Sequence, residues 1–277
     1  MNRKPSLLQR FVAAPYIVWA VLFIVIPLVM VAYYTFTNGN GEFTFDNIVK
    51  LSEREYLIIF FRSIVYAFLA TVVCFIIAFP LAYFISQTKP STQKIAIMLT
   101  MLPMWTNLVI RTYSLGNLIQ DTGVINTVLG LVDNPIHMIN TPFAVILGMV
   151  YNYLPFMVLP IHTVISKLDK HVIEASQDLG CNKFNVIRKV ILPLSKSGIV
   201  SGITMVFVPA VSTFYVSNKM GGTDNKLIGE VIESSFLYTG NTHFGSAISF
   251  ILMLIIMVSI AVVNKFSDDD DGGGMLL

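Results

Sequence analysis

The sequence predicts an all-α protein that crosses a membrane six times. Three observations predict it. Only 12% of the 277 residues are charged and 55% are hydrophobic, whereas soluble domains carry about 25% charged residues. Mean hydropathy is +0.73. Six segments stay apolar over about the 20 residues that an α-helix needs to cross the hydrocarbon core. They lie at roughly 15–36, 60–86, 95–119, 141–165, 197–218 and 245–265.

The elements follow in chain order. Segment 1–14 carries Arg3, Lys4 and Arg10 and is expected to be cytoplasmic. A basic start before an apolar run suggests a signal peptide, but Pro15 to Phe36 exceeds an h-region of about 7–15 residues. It reads as an uncleaved first span. The last four spans are flanked or interrupted by Pro or Gly, which membrane helices tolerate when neighbours satisfy the freed backbone. Counting loops alternately, one side receives Arg3, Lys4, Arg10, Lys89, Lys94, Lys167, Lys170, Lys183, Arg188, Lys189, Lys196 and Lys265. The other receives Lys50, Arg54, Arg62, Lys219 and Lys226, diluted by acidic residues such as Glu42, Asp121, Glu230 and Glu233. The positive-inside rule then puts both termini in the cytoplasm. Residues 15–265 form the six-helix transmembrane body, and the acidic, Gly-rich tail 266–277 has nothing to bury and is expected to be disordered.

Several function classes are disfavoured. Cys74 and Cys181 read as two unpaired thiols, and the four scattered histidines have no metal-ligand spacing. No basic stripe stands clear of the spans to hold a nucleic acid. The chain has no G-x-x-x-x-G-K-[ST] loop for a nucleotide.

The loop at 166–196, "SKLDKHVIEASQDLGCNKFNVIRKVILPLSK", carries the strongest signal. Asp169 is placed to cap a helix. Val172, Ala175 and Leu179 recur on one face. Gly180 can end that helix in a left-handed conformation, and Asn182 can cap a second helix running towards Pro193. The pattern is a basic helix–turn–helix under the membrane. It suits either an anionic lipid surface or docking to another protein. Its residues resemble the E-A-A-x-x-x-G-x9-I-x-L-P signature of ABC-importer permeases. Glu174, Ala175, Gly180, Leu192 and Pro193 match; Ser176 replaces the second Ala and Val190 the Ile. In that family this loop seats in a cytoplasmic ATPase, so the resemblance implies coupling roles for Glu174, Ala175, Ser176, Asp178, Gly180, Leu192 and Pro193.

"LPMWTNLVIRTYSL", "LGMVYNYLPFMVLP" and "VPAVSTFYVSNKMGG" extend the resemblance to the PotB-type permeases of spermidine/putrescine importers. It covers nearly the whole chain except the tail. The family implies a type I ABC importer permease fold in the bacterial inner membrane. It implies a PotC-like second permease, two copies of a PotA-like ATPase holding ATP and magnesium, and a PotD-like binding protein. This chain would itself bind no cofactor. Sibling importers of sulfate, iron or thiamine share the loop motif, so the motif alone does not set the cargo. A secondary transporter would show repeated halves and broken helices holding ions. A membrane enzyme would need a convergent catalytic set, and a scaffold would leave the loop motif unexplained.

Polyamines are flexible chains of ammonium groups and favour aromatic faces and carboxylates. If the third span were one helix starting at Ile95, a rise of about 1.5 Å per residue would put Trp105 near the middle of the membrane. There it is either a packing residue or a cavity liner, and the resemblance favours the cavity. Asn107, Tyr113, Tyr153, Ser212 and Tyr215 are the other candidate pathway residues. Tyr151, Asn152 and Thr213 read as polar groups bonding between helices. Arg111 would repel a polyamine. It is expected to have a structural or gating role, reaching the outer interface and pairing with a carboxylate or a backbone carbonyl. No Asp or Glu lies in the six predicted spans, so a mid-depth carboxylate is expected from the second permease.

Overall fold

The computed structural model describes residues 15–130 and 134–268. The basic segment 1–14 and the acidic stretch from 269 onward lie outside the described residues. The helices are α1 (Pro15–Thr35), α2 (Asp46–Lys50), α3 (Arg54–Ser86), α4 (Pro90–Met101), α5 (Leu108–Ile119), α6 (Val124–Val128), α7 (Pro142–Ile165), α8 (Lys170–Asp178), α9 (Lys183–Leu194), α10 (Lys196–Val211), α11 (Tyr215–Met220), α12 (Ile228–Leu237) and α13 (Thr242–Asp268). Four of these, α1, α3, α7 and α13, are long and apolar enough to cross a membrane alone. Two further helix pairs bring the number to six if each bent pair counts as one span: α4 with α5, turned by 93°, and α9 with α10, turned by 71°.

The boundaries differ from the sequence reading in three places. Helix α3 begins at Arg54 rather than near residue 60 and runs for 33 residues, about 50 Å. The expected single span at 95–119 is broken by a 3-10 turn at Leu102–Trp105, where Pro103 removes a backbone donor. The span expected to reach 218 ends at Val211, and the chain restarts as the short α11.

One unit comprises the chain up to Leu57 together with Ile232–Leu254. Within it α1 is exposed along nearly its whole length, as suits a helix apolar on all sides. A Thr37–Phe43 bridge turns the chain back. This places Phe36 against Phe43, Phe45 and Phe250, with ring centroids 5.7–6.0 Å apart. Lys50 Nζ stands 4.8 Å above the Phe244 ring.

The second unit comprises Ile58–Val231 and the chain from Ile255. Its centre is the α7–α10 pair. Gly198 and Gly202 form a G-x-x-x-G face, and each admits no side chain. A Cβ on Gly198 would lie 2.8 Å from the Pro160 carbonyl oxygen, and one on Gly202 2.6 Å from Met157 Sδ. Without water to drive association, small residues let the backbones approach and gain dispersion. Gly148 does the same for α11, whose Val216 and Met220 would collide with a Cβ there. Asn152 on α7 is fully buried and donates to Thr112 Oγ1 on α5 at 3.1 Å and to its own Gly148 carbonyl at 2.8 Å. Helix α9 contains a π turn at Ile187–Ile191, closed by the Leu192 N–H on the Ile187 carbonyl.

Candidate functional site

Two regions gather the residues singled out from the sequence: the breaks in the third and fifth spans, and the loop between α7 and α10.

The third-span break exists because Pro103 cannot donate and because the next helix has its own cap. Asn107 is extended, and its side-chain oxygen accepts from the Val109 N–H at 2.7 Å, starting α5. Its polar group is therefore used locally. Arg111, one turn into α5, folds back and donates to the Pro103 carbonyl at 2.8 Å. The expected pairing with a backbone carbonyl is present. The same carbonyl also accepts from the Thr106 N–H at 3.2 Å and from the Thr106 hydroxyl at 2.7 Å, so the guanidinium adds a third donor to the turn. The single straight helix assumed for the third span does not form, since a 3-10 turn ends at Trp105. Trp105 ends the 3-10 turn with 76% of its surface exposed. One side of it borders an open apolar groove of about 540 Å³, together with Met98, Met101 and His162. Trp105 and Arg111, which read as separate inner and outer features, are thus two parts of one bend.

The fifth-span break follows Pro209 and Val211. Tyr153 on α7 is buried and its hydroxyl donates to the Pro209 carbonyl at 3.4 Å. Ser212 donates to the Val208 carbonyl at 3.2 Å and to the Pro209 carbonyl at 3.4 Å. The last carbonyls of α10 lack helical donors, and these two hydroxyls satisfy part of that need. Thr213 is buried, while Tyr215 opens α11 and is half-buried. Tyr113 lies apart from this set, in a polar hollow of about 180 Å³ with Asn117, Gln120 and Lys219. Tyr153 and Ser212 therefore converge on one carbonyl. Trp105, Asn107 and Tyr113 belong to other surroundings, the third-span bend and the outer hollow.

The loop folds as its local sequence dictates. Asp169 accepts from the His171 N–H at 2.9 Å and caps α8. Gly180 has φ +86°. The Cys181 N–H bonds the Ser176 carbonyl at 3.1 Å and the Gly180 N–H bonds the Gln177 carbonyl at 2.8 Å, which is a full Schellman ending. Asn182 accepts from the Asn185 N–H at 2.8 Å and starts α9. Glu174 is exposed and lies 3.4 Å from His171 Nδ1. Ala175 and Asp178 are exposed, and Ser176 is half-buried with its hydroxyl on the Ile173 carbonyl. Leu192 is half-buried and Pro193 exposed. The apolar residues of this loop are also uncovered, with Leu179 87% and Phe184 68% exposed.

Sequence reasoning missed α12. Residues 219–244 read as an external loop, yet Leu227 and Ile228 are fully buried. The Ile228 N–H bonds Ser63 Oγ at 2.8 Å. Tyr66 donates to Asn225 Oδ1 at 2.9 Å, and Arg62 to the Asp224 carbonyl. The available signal was the apolar spacing Leu227, Ile228, Val231 and Ile232, a helical pattern obscured by its charged neighbours.

Residues 6–268 match the family model of the binding-protein-dependent transport system inner membrane component. The chain is 37% identical over 250 residues to the spermidine/putrescine transport system permease protein PotB of Haemophilus influenzae, covering 87% of each chain. It is 37% identical to PotB of Escherichia coli, covering 86% of this chain and 90% of that protein. A PotB homolog of Mycoplasma pneumoniae is 30% identical over 87% of this chain. Among solved structures, a chain of a bacterial ABC transporter that imports the acidic polysaccharide alginate aligns with a TM-score of 0.80, at 16% identity over 95% of both chains. That likeness concerns the fold.

Proposed function

The chain belongs to the family of binding-protein-dependent transport system inner membrane components, and on that premise we propose that it is the permease subunit of an ATP-driven importer of spermidine and putrescine. The observation that carries the cargo is the 36–37% identity to PotB permeases over about nine-tenths of the chain. The fold does not carry it, since a chain of an importer of an acidic polysaccharide has the same architecture.

In this reading both termini and the α8–α9 loop are cytoplasmic. Helix α8 seats in a cleft of a separate PotA-like ATPase, which holds ATP and magnesium. Exposed Leu179, Val172 and Ala175 supply an apolar contact, and Glu174 reaches a basic group on that partner. Val172 and Leu179 are uncovered, as an apolar contact with a partner requires. A PotC-like permease completes the pathway, and a PotD-like binding protein delivers cargo. Along the pathway Trp105 offers its indole face to an ammonium group, a contact worth about 2 kcal/mol when desolvated. Tyr153, Ser212 and Tyr215 border the fifth-span break. Asn107 and Arg111 hold the third-span bend, and Tyr113 lines an outer hollow.

Reconstitution in proteoliposomes with the second permease, the ATPase and the binding protein tests this. ATP-dependent uptake of labelled spermidine and putrescine is expected. Absence of uptake of both, with no stimulation of the ATPase by polyamine-loaded binding protein, would overturn the cargo assignment.

A further inference from the structure

We propose that the outer hollow between α5 and α11 receives a carboxylate, an Asp or Glu side chain of the binding protein that delivers the cargo. The proposal rests on the polyamine reading above, which places this end of α5 outside the cell.

One face of α5 carries Tyr113, Gly116, Asn117 and Gln120 at helical spacing. With Ile139 and with Lys219 of α11 they line a hollow of about 180 Å³. It is open space and not a packed seam: a Cβ on Gly116 would meet nothing within 4 Å beyond its own turn of helix. Its walls are held from behind. Thr112 on α5 accepts from the buried Asn152 of α7 at 3.1 Å. The Met220 carbonyl, one residue past Lys219, accepts from the Asn140 N–H at 2.9 Å, and the Asn140 carbonyl accepts from Asn225 Nδ2 at 3.1 Å. Ile139 is thereby tied to the end of α11. A site shaped before its ligand arrives loses less ordering entropy when it fills.

The lining sets the class of ligand. It offers the Lys219 ammonium, the Asn117 and Gln120 amides and the Tyr113 hydroxyl, and no carboxylate. These four side chains are exposed, and none gives its polar group to a hydrogen bond or ion pair among the described residues. Asp121, which follows Gln120, faces His137 Nδ1 instead, at 2.9 Å. An ammonium flanked by neutral N–H and O–H donors holds a carboxylate through charge-assisted hydrogen bonds. It repels an ammonium chain, so the cargo is the wrong occupant. The volume falls below the range of about 300–1,000 Å³ for small-molecule sites and suits one inserted side chain. The partner follows from the same chemistry. The family depends on a binding protein, and a protein that grips an ammonium chain carries carboxylates where it grips. Lys219 presents to them the same kind of group that the cargo presents.

The test titrates polyamine-loaded binding protein against the complete transporter in proteoliposomes and reads the stimulated ATPase activity. Lys219→Gln is expected to raise the half-saturating concentration about tenfold, the scale of a charged contact at an interface, with maximal activity within about twofold of wild type. The wild-type value should rise with ionic strength, and that of Lys219→Gln should rise less. Gly116→Leu keeps the charge but fills the hollow, and should also raise the value. Lys226→Gln removes another exposed basic residue and should leave it unchanged. An unchanged value in Lys219→Gln would overturn the proposal. So would an equal rise in Lys226→Gln, which would assign the effect to diffuse charge, or an unchanged value in an assembled Gly116→Leu transporter. If Gly116→Leu does not assemble, a charge swap decides. Lys219→Glu should be rescued by changing one acidic residue of the binding protein to Lys, and no rescue at any of them refutes the proposal. A lower melting temperature of the Lys219→Gln transporter without binding protein would place the carboxylate on the second permease and overturn the assigned partner. Failure of the loaded binding protein to stimulate the wild type would instead overturn the cargo reading.

Discussion

Helix α7 ends at Ile165 and α8 begins at Lys170, yet the two meet opposite surroundings. Helix α7 is buried over most of its length and presses on α10 through glycines that admit no methyl group. Helix α8 touches little of its own chain and leaves Val172 and Leu179 in the open. The first is held by close packing and the second by caps alone: Asp169 at its start and the Gly180 ending at its finish. A helix of nine residues has little stability of its own in water, so α8 depends on those caps until something covers it. The contrast teaches that damage to the α7–α10 pair should remove the protein, while damage to α8 should remove only its output.

The sharpest way to break this contrast is Gly198→Leu. Its side chain would collide with the Pro160 backbone carbonyl, which cannot move aside as a side-chain end can. Overpacking costs about 3 kcal/mol or more in a tight core, and the expected outcome is loss of folded protein from detergent extracts. Next in size, Glu174→Arg should cut uptake more than tenfold while thermal stability stays within about 0.5 kcal/mol, as for an exposed site. Unchanged uptake would remove α8 from the coupling role. Arg111→Gln should lower stability by about 2 kcal/mol, the scale of a lost hydrogen bond to a charged group, with Arg111→Lys partly restoring it. A thermal melt checks both. The smallest effect is expected from Asn107→Ala, about 1 kcal/mol for one lost N-cap. A larger loss of uptake than of stability there would give Asn107 a pathway role beyond capping.

Legibility from sequence divides along the range of the forces involved. The caps at Asp169 and Asn182 and the turn at Gly180 were readable, because each depends on residues within one turn. The six apolar spans were readable because burial in lipid is written into composition. Pro103 is a residue at which a helix can break, but nothing in the local sequence sets the 93° turn found there. The G-x-x-x-G at Gly198 and Gly202 was present in the sequence as a packing signal and went unread beside the louder loop motif. Helix α12 was hidden for another reason. Its burial is decided by Ser63, Tyr66 and Ser212, each remote in sequence, and its charged residues mimic an external loop.

The π turn in α9 carries one consequence more. Val186 and Ile191 are both buried, though five residues of ordinary α-helix would set them about 140° apart. The wider turn brings them back into phase, so both face inward while the helix runs on to Pro193. Deleting any one residue between Ile187 and Val190 would therefore do more than shorten the loop. It would rotate the first half of α9 against the half that runs on to Pro193, as a slipped tooth mistimes a gear train with every wheel intact.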